Sequence, residues 1–198
     1  MQEPLLLLDT DIVSRMGRQR PPPGLRTWLL MVGVDRLGIS FPVITEMLRG
    51  AYLVRDENPE KSAAIRRWVA DVLSTDFQFP EMCPKVADIY ARMTSLPCLK
   101  SMWTVQRHEK NNRLGHDLMI ASMAIVHNAP IITMNTRDFV RVNEWFPLPG
   151  VYQPIESRWY VKPDYFVSLP EFIPDDLSIA GSRLPRIFDE DHQVRARM

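Results

Sequence analysis

Apolar residues in this chain fall into short unbroken runs that alternate with longer stretches of helical spacing. Leu5–Leu8 is continuously apolar and bounded by charge, the pattern of a parallel strand covered on both faces. Asp9 to about Arg18 then reads as a short helix, stopped by Pro21-Pro22-Pro23-Gly24. Leu25–Val34 is apolar at helical spacing, and Gly38–Phe41 predicts a second short strand. Pro42 suits the first turn of a helix running through Val43, Ile44, Leu48, Ala51 and Leu53. Asn58-Pro59 opens another, with Ile65, Trp68, Val69 and Val72 as its apolar stripe. A strand is expected at Phe77–Phe79 and a helix at Pro84–Met93. Residues 96–114 follow no period and read as a loop, with room for a broken helix. Asp117–His127 is apolar nearly all round, as a helix buried on most sides must be. Ile131–Thr133 is a strand, and a last helix begins at Thr136 or Asp138. Strands alternating with helices predict an α/β fold on a parallel sheet.

Beyond Pro154 the character changes. Residues 155–198 carry Pro163, Pro170, Pro174 and Pro185, scattered aromatics and little periodicity, so the pattern divides the chain into a domain at 1–154 and an irregular extension at 155–198. The extension is expected to be extended and draped over the domain or a partner, with disorder in about its last ten residues.

Composition changes this picture little. The chain has 198 residues, 45% hydrophobic and 24% charged, which suits one globular core. Formal net charge is zero, which argues against sequence-blind nucleic-acid binding through bulk charge but allows a local basic rim around an acidic site. Cys83 and Cys98 stand alone and read as reduced side chains. No apolar stretch reaches the roughly 18 residues of a membrane span, and no basic region precedes the leading leucines, so a cytoplasmic protein without a signal peptide is expected.

Four acids carry the candidate chemistry. Asp9 and Asp138 follow predicted strands, at the edge where open α/β sheets bind ligands. Glu46 lies early in a helix, and Asp117 stands at the start of the most buried one, where free N–H groups and the helix dipole favour a carboxylate. Singly, each can be a cap, a turn residue or a solvated charge. Together they can converge on one sheet edge, where carboxylates repel and a divalent cation relieves them. Such an ion activates water for phosphodiester hydrolysis.

The order "LLDTDIVS", "ITEMLRG", "GHDLMIASMAIVHNAPIITMNTRDF", "FPLPGVYQP" resembles the PIN-domain ribonucleases, and looks closest to the VapC-type toxins of bacterial toxin–antitoxin modules. The resemblance covers about residues 4–154 and is strongest at Asp117–Phe139. It implies an α/β/α sandwich with a parallel sheet, and a Mg²⁺- or Mn²⁺-dependent endoribonuclease with Asp9, Glu46, Asp117 and Asp138 as its metal-binding, catalytic set. It places Thr133 and Asn135 as the small polar residues of the site. It also implies an RNA substrate, a homodimer and an antitoxin that blocks the site. Residues 96–114 are longer than the family usually has, and the extension has no counterpart in the minimal domain.

Asp11 takes a supporting role at the start of the first helix, capping it or backing the ligands. Arg15, Arg18, Arg20, Arg107, Lys110, Arg113 and Arg137 are candidate phosphate contacts, with Arg15 and Arg137 beside the site acids. His116 reads as solvent-facing or capping rather than as a base. Two other readings compete. "LLLLDTDIV" also fits a phosphatase of the haloacid-dehalogenase type, with Asp9 as nucleophile and Asp11 as acid/base. That reading needs a later acidic pair, for which only Asp175-Asp176 in the proline-rich extension is available. The third reading is a non-catalytic module whose site is covered by the extension, through apolar residues such as Phe166, Phe172, Leu177 and Ile187 and through Arg183 or Arg186.

Overall fold

The computed structural model of the chain describes residues 3–18, 21–104 and 115–174. Five strands form one sheet: β1 (Leu6–Leu8), β2 (Leu37–Ile39), β3 (Ile131–Ile132), β4 (Val151–Gln153) and β5 (Arg158–Val161). Their spatial order is β2-β1-β3-β4-β5, parallel except for β5, which runs antiparallel to β4. Every residue of β1 to β4 is buried, so the sheet is covered on both faces by helices. That is the α/β fold the alternating pattern predicts, in the sandwich arrangement the resemblance implies.

The helices are α1 (Thr10–Met16), α2 (Leu25–Val32), α3 (Phe41–Leu53), α4 (Pro59–Leu73), α5 (Pro84–Ser95), α6 (His116–His127) and α7 (Thr136–Asn143). Their starts follow local chemistry. Asp9 caps α1, and Asn58 caps α4 by accepting the Lys61 N–H at 2.9 Å, with Pro59 in the first turn. In α6 the residues Leu118, Ile120, Ala121, Ser122, Met123 and Ala124 are all buried, which explains its nearly uniform apolar composition. Ser122 is tolerated inside because its hydroxyl donates to the Leu118 carbonyl at 2.7 Å.

What positions the site is the register of β1 and β3. Leu8 lies opposite Ile132, so the next residues, Asp9 and Thr133, emerge side by side at the carboxyl edge. The Asp9 N–H extends the ladder by donating to the Ile132 carbonyl at 3.0 Å. Helices α1, α3 and α7 start directly after β1, β2 and β3, which brings their amino ends to the same edge.

Two local expectations change. Phe41 is not strand but the first residue of α3, because Ser40-Phe41-Pro42 turns the chain at once. Phe77–Phe79 contributes only a single parallel bridge, Gln78 with Gly38 on β2, held by two 2.9 Å backbone bonds. The loop after Leu96 does contain a broken helix, a 3₁₀ turn at Pro97–Met102.

The extension is partly built into the domain. Residues Arg158–Val161 form the edge strand β5, whose Trp159 packs on Tyr152, itself stacked on Trp28. The chain then crosses α2. Trp28 Nε1 donates to the Pro170 carbonyl at 2.9 Å, Arg36 donates to the Ser168 carbonyl at 3.1 Å, and Phe172 is buried in the core. The draped arrangement expected from sequence therefore holds for residues up to Pro174. The residues after Pro174, including Asp175-Asp176, Leu177, Arg183, Arg186 and Ile187, lie outside the described residues.

Candidate active site at the carboxyl edge of the sheet

Asp9 is the centre of the arrangement. It is 3% exposed, and both carboxylate oxygens are engaged. One oxygen accepts the Thr10 N–H at 2.7 Å, and the other accepts the Thr133 hydroxyl at 2.6 Å. Burial pushes its pKa well up, and the charges of Asp11 and Asp117 push it further, against the two hydrogen bonds. Asp9 and Asp117, distant in sequence, thus share one electrostatic neighbourhood.

Glu46, on α3, enters from the other side. Its Oε2 accepts the Thr10 hydroxyl at 2.8 Å and lies 3.3 Å from His116 Nδ1. Burial works to raise its pKa, but the His116 and Thr10 hydrogen bonds, with the charges of His116 and Arg49, outweigh it and leave the carboxyl below its ordinary range. The two residues that hold Glu46 directly follow Asp9 and directly precede Asp117. His116 is consequently not solvent-facing, as sequence reasoning expects; its side chain is 12% exposed and turned onto Glu46. Nor do His116 or Asp117 cap α6, because that position belongs to Gly115 in a left-handed conformation.

Asp138 joins through α7. Its Oδ2 accepts the Asn135 side-chain N–H at 2.9 Å, while the Asn135 backbone N–H donates to Thr133 Oγ at 2.9 Å. One hydrogen-bond chain therefore runs Asp138–Asn135–Thr133–Asp9–Thr10–Glu46–His116. It links three of the four acids, and Asp117 follows His116 directly in sequence.

Asp11 does not cap α1, since Asp9 does. Its Oδ2 accepts the Met134 N–H at 2.9 Å across the sheet edge, and its Oδ1 is buried without a hydrogen-bond partner. Burial raises its pKa, opposed by the Met134 N–H and by the charge of Arg15. Arg15 is half-buried one helical turn further on, and Arg137 is exposed beside Asp138. Arg18 is exposed, and Arg20, Arg107, Lys110 and Arg113 lie outside the described residues. Thr10, His116 and Arg49 are site neighbours that sequence reasoning did not assign. The only signal for Thr10 was its place between two acids.

The family model described as the PIN domain matches residues 6–144. The chain belongs to the PIN-domain family. This PIN domain is 30% identical over 140 residues to Ribonuclease VapC of Rickettsia bellii (strain RML369-C), a match covering 70% of this chain and 91% of that protein. Among solved structures it is similar to VapBC2 from Rickettsia felis bound to a DNA fragment from its promoter, at 18% identity and TM-score 0.47 over 72% of this chain and 93% of that one. It is also similar to VapBC-1 from nontypeable Haemophilus influenzae, at 23% identity and TM-score 0.48, over 71% and 93% respectively.

The PIN-domain resemblance implies a divalent metal, and the donor set here fits one. Carboxylates are held together against their own repulsion, and Asp11 keeps a buried oxygen without a donor. Among the described residues, no three His, Cys, Asp or Glu side chains gather closely enough to enclose an ion by themselves. An ion held by these carboxylates would complete its coordination with water.

Proposed function

We propose that this PIN-domain chain is an endoribonuclease dependent on Mg²⁺ or Mn²⁺, and the toxin of a toxin–antitoxin pair. The observation that carries the catalytic part is Asp9, buried at the carboxyl edge among Asp11 and Asp117 with its pKa driven up. Identity with a relative named Ribonuclease VapC supports RNA as the substrate class.

Asp9, Glu46, Asp117 and Asp138 would hold the ion. Bound there, the metal offsets the carboxylate repulsion and supplies an activated water together with charge stabilisation of the phosphodiester. The chain's own residues do the positioning. Thr133 and the Thr10 N–H fix the Asp9 carboxylate, so its rotamer is set before any ligand arrives. Thr10 and His116 both hold Glu46 through Oε2, which leaves Oε1 for the site. Asn135 orients Asp138. Arg15 and Arg137 would meet the phosphates of the substrate strand.

The phosphatase reading differs in what it asks of the two acids: it makes Asp9 and Asp11 equally necessary to the chemistry, whereas in the nuclease reading Asp11 serves through the oxygen that accepts the Met134 N–H.

The antitoxin partner and a homodimer belong to the same proposal. So does a cytoplasmic location; no helix among the described residues is long and apolar enough to cross a membrane. The decisive experiment is an RNA cleavage assay with EDTA and with Mn²⁺, run beside a small phosphate ester. Cleavage of RNA that EDTA stops and Mn²⁺ restores, with the ester untouched, is expected. Ester hydrolysis without RNA cleavage overturns the reading. Copurification of the chain with the product of an adjacent gene, and its mass in solution, test the partner and the dimer.

A further inference from the structure

The strand β5 lies outside the span matched by the family model, and it presents an unusual outer face. Its residues alternate, with Trp159 and Val161 turned inward and Arg158 and Tyr160 exposed. The Arg158 guanidinium stacks over the Tyr160 ring, 4.8 Å from its centroid. The Tyr160 hydroxyl donates to Glu156 at 2.6 Å and also meets the Thr136 side chain, the first residue of α7. Thr136 directly follows Asn135, which orients Asp138. The stacked pair thus begins where the candidate site ends. At the usual strand spacing of about 4.8 Å, β5 stands about 10 Å from β3, which a single strand spans in a few nucleotides.

We propose that the Arg158–Tyr160 pair is a nucleobase platform, which receives a base of the RNA strand as it leaves the site over the start of α7. The inference rests on the endoribonuclease reading above. Single-stranded RNA is held by stacking unpaired bases on aromatic rings and arginine planes, with cations on the phosphates. Here the ring and guanidinium are already stacked, exposed and oriented. Glu156 pins the phenol and repels phosphate from that edge, so a base rather than the backbone sits on the ring. Arg137 and Arg158 supply the flanking positive charge.

The test is fluorescence anisotropy of the full chain with a short labelled single-stranded oligoribonucleotide, in EDTA so that nothing is cut. Tyr160→Ala should weaken binding about fivefold or more, while Tyr160→Phe keeps it. Arg158→Ala should weaken binding and reduce its salt dependence by about one charge. Placing an abasic residue at each position in turn should reveal one position where the wild type loses affinity and Tyr160→Ala does not. Wild-type cleavage of the same oligonucleotide with Mn²⁺ is read in parallel. Unchanged binding by Tyr160→Ala, or an abasic scan without a sensitive position, overturns the platform even if RNA is cleaved. Binding that depends on Tyr160 without any cleavage supports the platform and overturns the nuclease reading. No RNA binding by the wild type overturns both.

Discussion

The Asp11 carboxylate on α1 accepts the backbone N–H of Met134, in the turn between β3 and α7, at 2.9 Å. That bond joins two segments more than a hundred residues apart and sets where Thr133, Asn135 and Asp138 stand relative to Asp9. It separates the two acids of "DTD". In the proposed site Asp9 would hold the ion, whereas Asp11 holds the turn that carries Thr133, Asn135 and Asp138. Asp9→Asn should abolish RNA cleavage with the fold intact. Asp11→Asn retains an acceptor for Met134 and should be far milder. Asp11→Leu loses the acceptor and should cost about 10- to 100-fold in activity, as loss of outer support to a metal site does. Cleavage rates of the three variants, with melting curves, check this. A phosphatase would suffer nearly alike from Asp9→Asn and Asp11→Asn.

Glu46 offers a sharper comparison, because Thr10 and His116 converge on the same oxygen. Thr10→Val and His116→Phe should each weaken Mn²⁺ binding, by about 1 kcal/mol per hydrogen bond removed. Thr10→Ser and His116→Asn keep a donor and should restore much of it. Because both act on one carboxylate, the double variant should be non-additive. Calorimetric Mn²⁺ titration of the four single variants and the Thr10→Val/His116→Phe double measures it.

The shifted acids fix a direction for pH. The folded pKa values of Asp9 and Asp11 lie above their unfolded values, so the native state binds more protons through that window. Their contribution to stability is full below the ordinary carboxylate range and is lost as pH rises through the raised values. In EDTA, the wild type should therefore melt higher as pH falls from neutral towards that range. Glu46 is lowered and works oppositely, but only at the acid end, where its contribution is lost as pH falls through its folded value. Asp9→Asn should flatten the profile and melt higher than wild type at neutral pH in EDTA. A melting temperature that instead falls on mild acidification would contradict the crowded-carboxylate picture.

The strap after β5 depends on Gly24. Its φ is +79°, and a Cβ there would sit 2.0 Å from the Ile173 carbonyl oxygen. Gly24→Ala must both strain the backbone and displace the strap, at a cost of about 1–3 kcal/mol. Urea denaturation measures the loss. Limited proteolysis should show earlier cutting after Val161 in the variant.

The sequence by itself determined the layers and the acids. The Leu5–Leu8 run and the all-round apolar α6 are legible because burial on every side leaves no polar position to hide in composition. Asp9 is legible because a polar residue just after a buried strand marks the sheet edge, and Asp138 because it lies in the first turn of the helix that follows β3. Tertiary structure alone decided what holds those acids in place. Thr10 on Glu46, His116 on the same oxygen and Asp11 on Met134 are contacts between segments far apart in the chain, and no local period encodes them. Nor was β5 legible, since four residues with one face in solvent carry too little pattern, and its pairing to β4 follows from the sheet already built beside it. Local sequence records how a segment is buried; which side chains then meet is decided by the packing of segments that sequence keeps apart.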